Sequence, residues 1–177
     1  MSESDSPDPV SEPQIYQRFL LAALGEDDPG QAQASTPARI RALVAEAGDL
    51  LRVRPEPSEW SVLECIGHIV DAEIVMSGRY RFVVAHEEPP LIGYDQALWV
   101  DNLRRNEDDL DTLLACFEGL RRANVAMWKS SSEADRARIG IHAERGPESY
   151  DLAFRMIGGH DRVHLGQADR ALAALRG

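Results

Sequence analysis

Apolar residues recur at steps of three and four positions over most of this chain, which is the spacing of one face of an α-helix. The longest run begins at Ser61, which has the spacing of a capping box with Glu64, and continues to about residue 85. Its apolar stripe consists of Leu63, Ile66, Val70, Ile74 and Val75. A half-buried strand would alternate apolar and polar residues instead, and no such alternation repeats along the sequence. The pattern predicts an all-α fold.

Two helices are predicted before this run. A short one begins at Pro13 and ends before Gly25. The second begins at Thr36, because threonine followed by Pro37 supplies the residue types favoured at the N-cap and at the first helical position. Its apolar pattern ends before Pro55.

Three helices are predicted after the long run. The first is short and covers the segment DQALWVDNLRR, and the second is long and is capped by Asn106 with Asp109. The third runs from about 149 to 175, and residues 131–148 before it are polar and predict an irregular excursion across one end of the molecule. Long amphipathic helices with short connections predict an up-down four-helix bundle with a short additional helix.

Residues 1–12 are mainly Ser, Asp, Glu and Pro, and we expect them to form a disordered, flexible leader before a single domain at 13–177. No apolar run approaches the roughly 20 residues that cross a bilayer, and the beginning of the sequence has no signal-peptide pattern. We therefore expect a cytoplasmic protein that does not contact membranes. Nineteen Lys and Arg against thirty Asp and Glu give a formal charge of −11, which argues against nucleic acid as a partner.

Three of the five histidines lie in predicted long helices. His160 and His164 are four residues apart, so their imidazoles project from one helix face and can bind one divalent ion. His68 lies near the middle of the helix that begins at Ser61. If the two helices face each other, the three imidazoles form a site with three nitrogen ligands.

Glycines next to these histidines, at Gly67, Gly158 and Gly159, are costly inside helices and predict a close approach. They either let the helices close on a shared ion or permit a tight helix crossing. Both cysteines fall in apolar helical patterns and are expected to be buried structural thiols. For Cys65 a less favoured alternative is that its sulfur is an additional ligand of the metal ion.

Three carboxylates are candidates to accept the outer N–H of a ligating imidazole, which would fix its orientation. Glu64 and Asp71 lie one turn either side of His68, and Asp161 follows His160. The alternative for each is an ordinary solvated helix charge.

Four further residues are candidates to line a pocket. Tyr94 and Trp99 are aromatic residues in the segment after the long helix, although the simplest expectation for the tryptophans is that they are core residues. His142 lies in a predicted loop that either is exposed or folds over the site, and Arg145 in the same loop is a candidate to bind a substrate carboxylate.

Four segments together resemble the DinB-like superfamily, also called the YfiT-like or damage-inducible metalloenzymes. They are EWSVLECIGHIVDAE, EEPPLIGYDQALW, RNEDDLDTLLACFEGLRRAN and HAERGPESYDLAFRMIGGHDRVHLGQADRAL. The resemblance as a whole covers about residues 36–175. The resemblance implies a homodimeric four-helix bundle that holds nickel or zinc through His68, His160 and His164. Members include transferases that use low-molecular-weight thiols.

Three imidazoles leave at least one coordination position open, as in catalytic rather than structural sites. The leading hypothesis is a divalent-metal-dependent enzyme acting on a small-molecule substrate, either a thiol-dependent S-transferase or a hydrolase. The alternatives are a non-catalytic metal-binding module of a stress response and a metal-free homodimeric helical scaffold.

Overall fold

The computed structural model describes residues 7–177, and this part of the chain contains seven α-helices and three short strands. The helices are α1 Pro13–Leu24, α2 Pro29–Ala47, α3 Val62–Ala85, α4 Gln96–Asn102, α5 Leu110–Ser130, α6 Glu133–Ala137 and α7 Tyr150–Arg176. Among the described residues no helix is long and apolar enough to cross a membrane.

Helices α2, α3, α5 and α7 form a four-helix bundle, as predicted. Helix α3 packs between α5 and α7, and α2 closes the other side of the bundle against the same two helices. The consecutive helices α2 and α3 therefore lie on a diagonal and share few contacts. Helix α1 packs on the outer side of α7. Aromatic pairs show that α3 and α7 are antiparallel, because His68 contacts His160 while Tyr80 contacts Phe154 further along α3.

The predicted capping box of α3 is confirmed. The Ser61 hydroxyl accepts a hydrogen bond from the Glu64 N–H at 3.2 Å, and the Ser61 N–H donates to the Glu64 carboxylate at 2.8 Å. Ser149 caps α7 by accepting from the N–H of Leu152 at 3.0 Å. In α5 the cap is Asp109 and not Asn106, which lies in the preceding 3-10 turn Arg105–Glu107.

The predicted start of the second helix at Thr36 is wrong. Helix α2 begins at Pro29, and Pro37 lies in its interior. Proline has no N–H to donate to the carbonyl four residues earlier, which usually ends a helix. Here that carbonyl, of Gln33, accepts a hydrogen bond from Arg121 Nη1 on α5 at 3.1 Å. A long-range contact thus replaces the missing intrahelical bond.

The expectation that residues 131–148 are irregular is also wrong. After α6, strand β2 Ile139–His142 pairs antiparallel with β3 Gly146–Ser149, and β2 also pairs in parallel with the two-residue strand β1 Pro90–Leu91. The turn between β2 and β3 ends at Gly146, whose φ of +77° favours glycine. Strands this short show no hydrophobic period in the sequence, which is why they were not predicted. The small sheet closes one end of the bundle.

The glycines before His160 serve the contact between α1 and α7. A Cβ on Gly159 would lie 1.8 Å from the backbone oxygen of Leu20, and one on Gly158 would lie 3.0 Å from a leucine methyl of α1. Gly67 instead makes room for the side chain of Arg105. For Gly158 and Gly159 the interpretation as a tight helix crossing is therefore correct, whereas neither interpretation holds for Gly67. The glycines do not bring α3 and α7 together.

Residues 1–6 of the predicted leader lie outside the described residues. In the remainder, the Asp8 carboxylate accepts hydrogen bonds from the N–H groups of Val10 at 2.9 Å and Ser11 at 2.6 Å. A flexible leader stays a prediction.

Candidate metal centre

The structure brings the three predicted histidines together. His68 on α3 and His160 and His164 on α7 are all buried, and one potential ligand atom from each lies within 4.8 Å of the others. The Nε2 atoms of His68 and His160 are 2.9 Å apart. Among residues 7–177 this is the group of histidine, cysteine and acidic side chains placed to hold an ion.

Two elements of the fold position these rings. The single-turn spacing of His160 and His164 aligns them on one face of α7, and the antiparallel packing of α3 places His68 opposite both. Trp60, which precedes the cap of α3, packs with its ring 5.3 Å from that of His68 and 6.1 Å from that of His164. An aromatic wall therefore shields the cluster on one side.

Burial keeps all three imidazoles neutral at pH 7. It lowers the pKa of His68 and His160 well below the usual value of 6.5, and it lowers the pKa of His164 to about 4. His164 Nδ1 lies 2.9 Å from the side-chain oxygen of Gln167, which can only accept a hydrogen bond. The proton of His164 is therefore on Nδ1, and its Nε2 offers a lone pair.

The donor set fits a divalent ion. Neutral imidazole nitrogens are common ligands of zinc, nickel, copper and iron. Two nitrogens 2.9 Å apart, each at a typical bond length of about 2.1 Å, subtend an angle of about 90° at a shared ion. The outer Nδ1 atoms of His68 and His160 are buried and have no hydrogen-bond partner within residues 7–177.

The carboxylates expected to orient the imidazoles bind arginines instead. Glu64 receives hydrogen bonds from Arg54 at 2.8 and 3.1 Å in addition to its role in the helix cap. Asp71 accepts from Arg105 Nε at 2.9 Å, and burial raises the pKa of its carboxyl despite that partner. The side chain that does bind a histidine is the amide of Gln167, which lies one turn after His164. That spacing was the signal in the sequence from which this hydrogen bond could have been predicted.

Asp161 belongs to a buried ionic network beside the histidines. Its carboxylate accepts from Arg121 Nη1 at 2.5 Å and from the Thr36 hydroxyl at 2.8 Å. Arg121 also lies 2.8 Å from Glu73, which accepts from Asn124 at 2.7 Å. The network connects α2, α3, α5 and α7 next to His160. The network was not predicted from the sequence, although Arg121 and Asn124 interrupt the apolar face of α5, which was an available signal.

A cavity of about 80 Å³ adjoins His160. It is lined by three of the predicted pocket residues, Tyr94, His142 and Arg145. Arg79, which was not predicted from the sequence, lines it too. Trp99 lies outside its wall and packs against Tyr94, with the ring centroids 4.5 Å apart.

The two cysteines differ in environment. Cys65 is buried in the apolar core and does not belong to the ligand cluster, which consists of histidines alone in the described part of the chain. Cys116 is exposed on α5, so the expectation that it is buried is wrong.

The comparison with solved structures gives a clear relative in fold. YfiT from Bacillus subtilis, described as a probable metal-dependent hydrolase with an unusual four-helix bundle topology, superposes with a TM-score of 0.77. The superposition covers 84% of this chain and 86% of YfiT, and the sequences are 17% identical. This likeness establishes a common fold.

Two curated proteins of Oceanobacillus iheyensis are similar in sequence, and both are provisionally named metal-dependent hydrolases. One is 22% identical over 114 residues, or 64% of this chain, and the other is 24% identical over 106 residues, or 60% of it. The matches span 65% and 61% of the two relatives, slightly less than two thirds of their length. The family model of the DinB superfamily matches residues 31–168, which include all three histidines. The chain belongs to the DinB superfamily.

Proposed function

We propose that this protein is a metal-dependent hydrolase whose nickel or zinc ion is held by His68, His160 and His164. The observation that carries the proposal is the convergence of three buried, neutral imidazoles from two helices beside a cavity. The names of the two curated relatives and the description of YfiT support the same class of reaction.

The protein's own groups prepare the site for hydrolysis. When bound, such an ion supplies a water whose pKa falls toward about 7 and a Lewis acid for a substrate carbonyl. Burial keeps the three imidazoles unprotonated, and Gln167 holds the proton of His164 on the nitrogen that faces away from the cluster. Trp60 covers two of the rings and limits the access of bulk water.

The cavity beside His160 is where we place the substrate. Tyr94 lines it, and burial raises the pKa of its hydroxyl, which therefore remains a hydrogen-bond donor at neutral pH. Met76, Met156 and Ile157 provide an apolar wall that accommodates hydrocarbon. The arrangement favours a small molecule with an apolar body.

The test is metal analysis and a hydrolysis assay on protein purified without a histidine tag. We expect close to one divalent ion per chain, and turnover of members of an ester and amide panel that is lost on chelation and restored by zinc or nickel. His160→Ala should abolish both metal binding and turnover. His86→Ala makes the same change at an exposed histidine and should alter neither.

Two results would contradict the proposal. If protein expressed with zinc or nickel contained no stoichiometric metal, the proposed metal ion would be excluded. Turnover that requires an added low-molecular-weight thiol, with transfer of the substrate group to its sulfur, would identify a transferase and not a hydrolase.

A further inference from the structure

The wall of the cavity contains a buried arginine that contacts no carboxylate. The Arg79 residue is 8% exposed; one of its terminal nitrogens donates to the backbone oxygen of Ile92, and the other lies 3.6 Å from the sulfur of Met76. Its Nε has no hydrogen-bond partner, and no acidic side chain of residues 7–177 lies within ion-pair distance of it. An unpaired buried charge is unfavourable, so this guanidinium is a candidate to bind an anion.

His142 supplies a second unpartnered donor in the same cavity. Its Nδ1 accepts a hydrogen bond from the N–H of Glu144 at 3.2 Å, which places the proton of the neutral ring on Nε2. This Nε2 is buried and has no partner within the described residues. Burial, together with the charge of Arg145, lowers the pKa of His142 to about 4, so the ring is neutral at physiological pH.

Arg79 differs from the other charged groups of the wall because it is buried and lies outside ion-pair distance of every carboxylate in residues 7–177, although Glu148 and Glu144 attract its charge from further away. Arg145 is paired with Glu148, which also accepts from the amide of Gln17 at 2.9 Å. Glu144 has a side chain that is 32% exposed to solvent and lies outside ion-pair distance of both arginines. One unpaired guanidinium matches the single charge of a carboxylate better than the double charge of a phosphate.

We propose that the cavity binds a substrate carboxylate through Arg79, with His142 Nε2–H donating a hydrogen bond to it. The apolar body of the ligand then lies along Met76 and Ile157 and points toward His160. Arg79 follows His68 by eleven residues on α3, about 16 Å along the helix axis, and its long side chain leans back toward the N-terminus of the helix. The carboxylate is thus held away from the reacting end. The identification of this ligand as the substrate rests on the proposed function, whereas carboxylate binding itself does not.

The experiment is an NMR titration of chelator-treated, 15N-labelled protein with butyrate, hexanoate, octanoate and hexanamide. Removal of the metal ensures that a carboxylate does not bind as a metal ligand. We expect at least one of the acids to bind, and hexanoate to bind at least tenfold more tightly than hexanamide. If the wild-type protein bound none of the acids, or bound hexanoate and hexanamide with equal affinity, the proposal would be overturned.

Two variants locate the anion. Arg79→Gln should reduce the preference for hexanoate over hexanamide to less than twofold, whereas Arg155→Gln changes a half-buried arginine on α7, outside the cavity, and should preserve it. A preference that persists in Arg79→Gln would overturn the assignment. If that variant does not fold, His142→Gln, which lacks the ring N–H, should weaken hexanoate binding by about threefold or more, and unchanged binding would overturn the proposal.

Metal analysis of the same proteins before chelator treatment separates the two proposals. Protein that is purified without metal but binds hexanoate through Arg79 would contradict the proposed function alone. Protein that is fully metallated and hydrolytic but shows no preference for the acid would contradict the carboxylate site alone.

Discussion

Replacement of Gly159 by alanine should destabilise the protein, although alanine is the better helix former. The new Cβ would lie 1.8 Å from the backbone oxygen of Leu20, and even a minimal contact of 3.0 Å requires α1 and α7 to separate by about 1.2 Å. Because the atom in the way belongs to the backbone, a side-chain rotation cannot relieve the clash.

The magnitude follows from two opposing effects. Glycine to alanine in a helix interior stabilises by about 1 kcal/mol, whereas overpacking that moves backbone costs about 1–3 kcal/mol. Separation of the helices also exposes part of Leu20 and Leu24, which are 2% and 1% exposed and contribute about 1.5–3 kcal/mol each when fully buried. We expect a net loss of about 2 kcal/mol, or a melting temperature about 4–8 °C lower for a chain of this size.

Gly158→Ala is the matched control in the adjacent position. The closest approach of its Cβ would be 3.0 Å, to a methyl group at the end of the Leu24 side chain that can move, and the next atom, the Ala32 Cβ, lies at an ordinary contact distance of 3.8 Å. Thermal and urea unfolding of the two variants should show Gly159→Ala well below the wild type and Gly158→Ala within about 1 kcal/mol of it. A Gly159→Ala protein as stable as the wild type would refute the close crossing of α1 and α7.

Three further predictions concern the buried polar groups. In metal-free protein, His142 and His164 have pKa values of about 4, so below pH 6.5 the unfolded chain binds more protons than the folded chain. The free energy of unfolding should therefore fall by about 1 kcal/mol for each histidine as the pH is lowered from 7.5 to 5.5. Urea titrations that show no decrease would contradict this. Arg121→Met leaves two buried carboxylates without a counter-charge and should lower the free energy of unfolding by about 3–5 kcal/mol in the same assay. The control Arg122→Met, at the exposed neighbouring position, should lower it by less than about 0.5 kcal/mol, and equal effects of the two variants would refute the network. Gln167→Leu removes the acceptor of the His164 N–H and should weaken metal binding about tenfold or more in chelator competition, whereas unchanged affinity would show that this bond does not orient the ring.

The features that the sequence predicted depend on residues close together in the chain. The capping box of Ser61 with Glu64 and the four-residue step from His160 to His164 each fix a geometry within one helical turn. Long amphipathic runs likewise predict long helices and a bundle. The pairing of His68 with the other two histidines needed the additional assumption that α3 and α7 face each other.

The features that the sequence did not predict depend on contacts between distant residues. Asp71 is bound by an arginine 34 positions away, and Asp161 by one 40 positions away, and several arginines offered similar local alternatives. Pro37 is tolerated inside α2 because Arg121, on another helix, binds the carbonyl that the proline leaves without a donor. No local rule predicts which of many distant partners completes such a site.

The most direct test of the metal centre is a crystal structure of protein purified without a histidine tag, with anomalous diffraction data collected above the absorption edge of the bound metal. We expect one strong anomalous peak about 2.0–2.3 Å from nitrogens of His68, His160 and His164, with Nε2 as the ligand atom of His164. A well-ordered site without a peak after loading with zinc or nickel, or a peak bound by other residues, would contradict it.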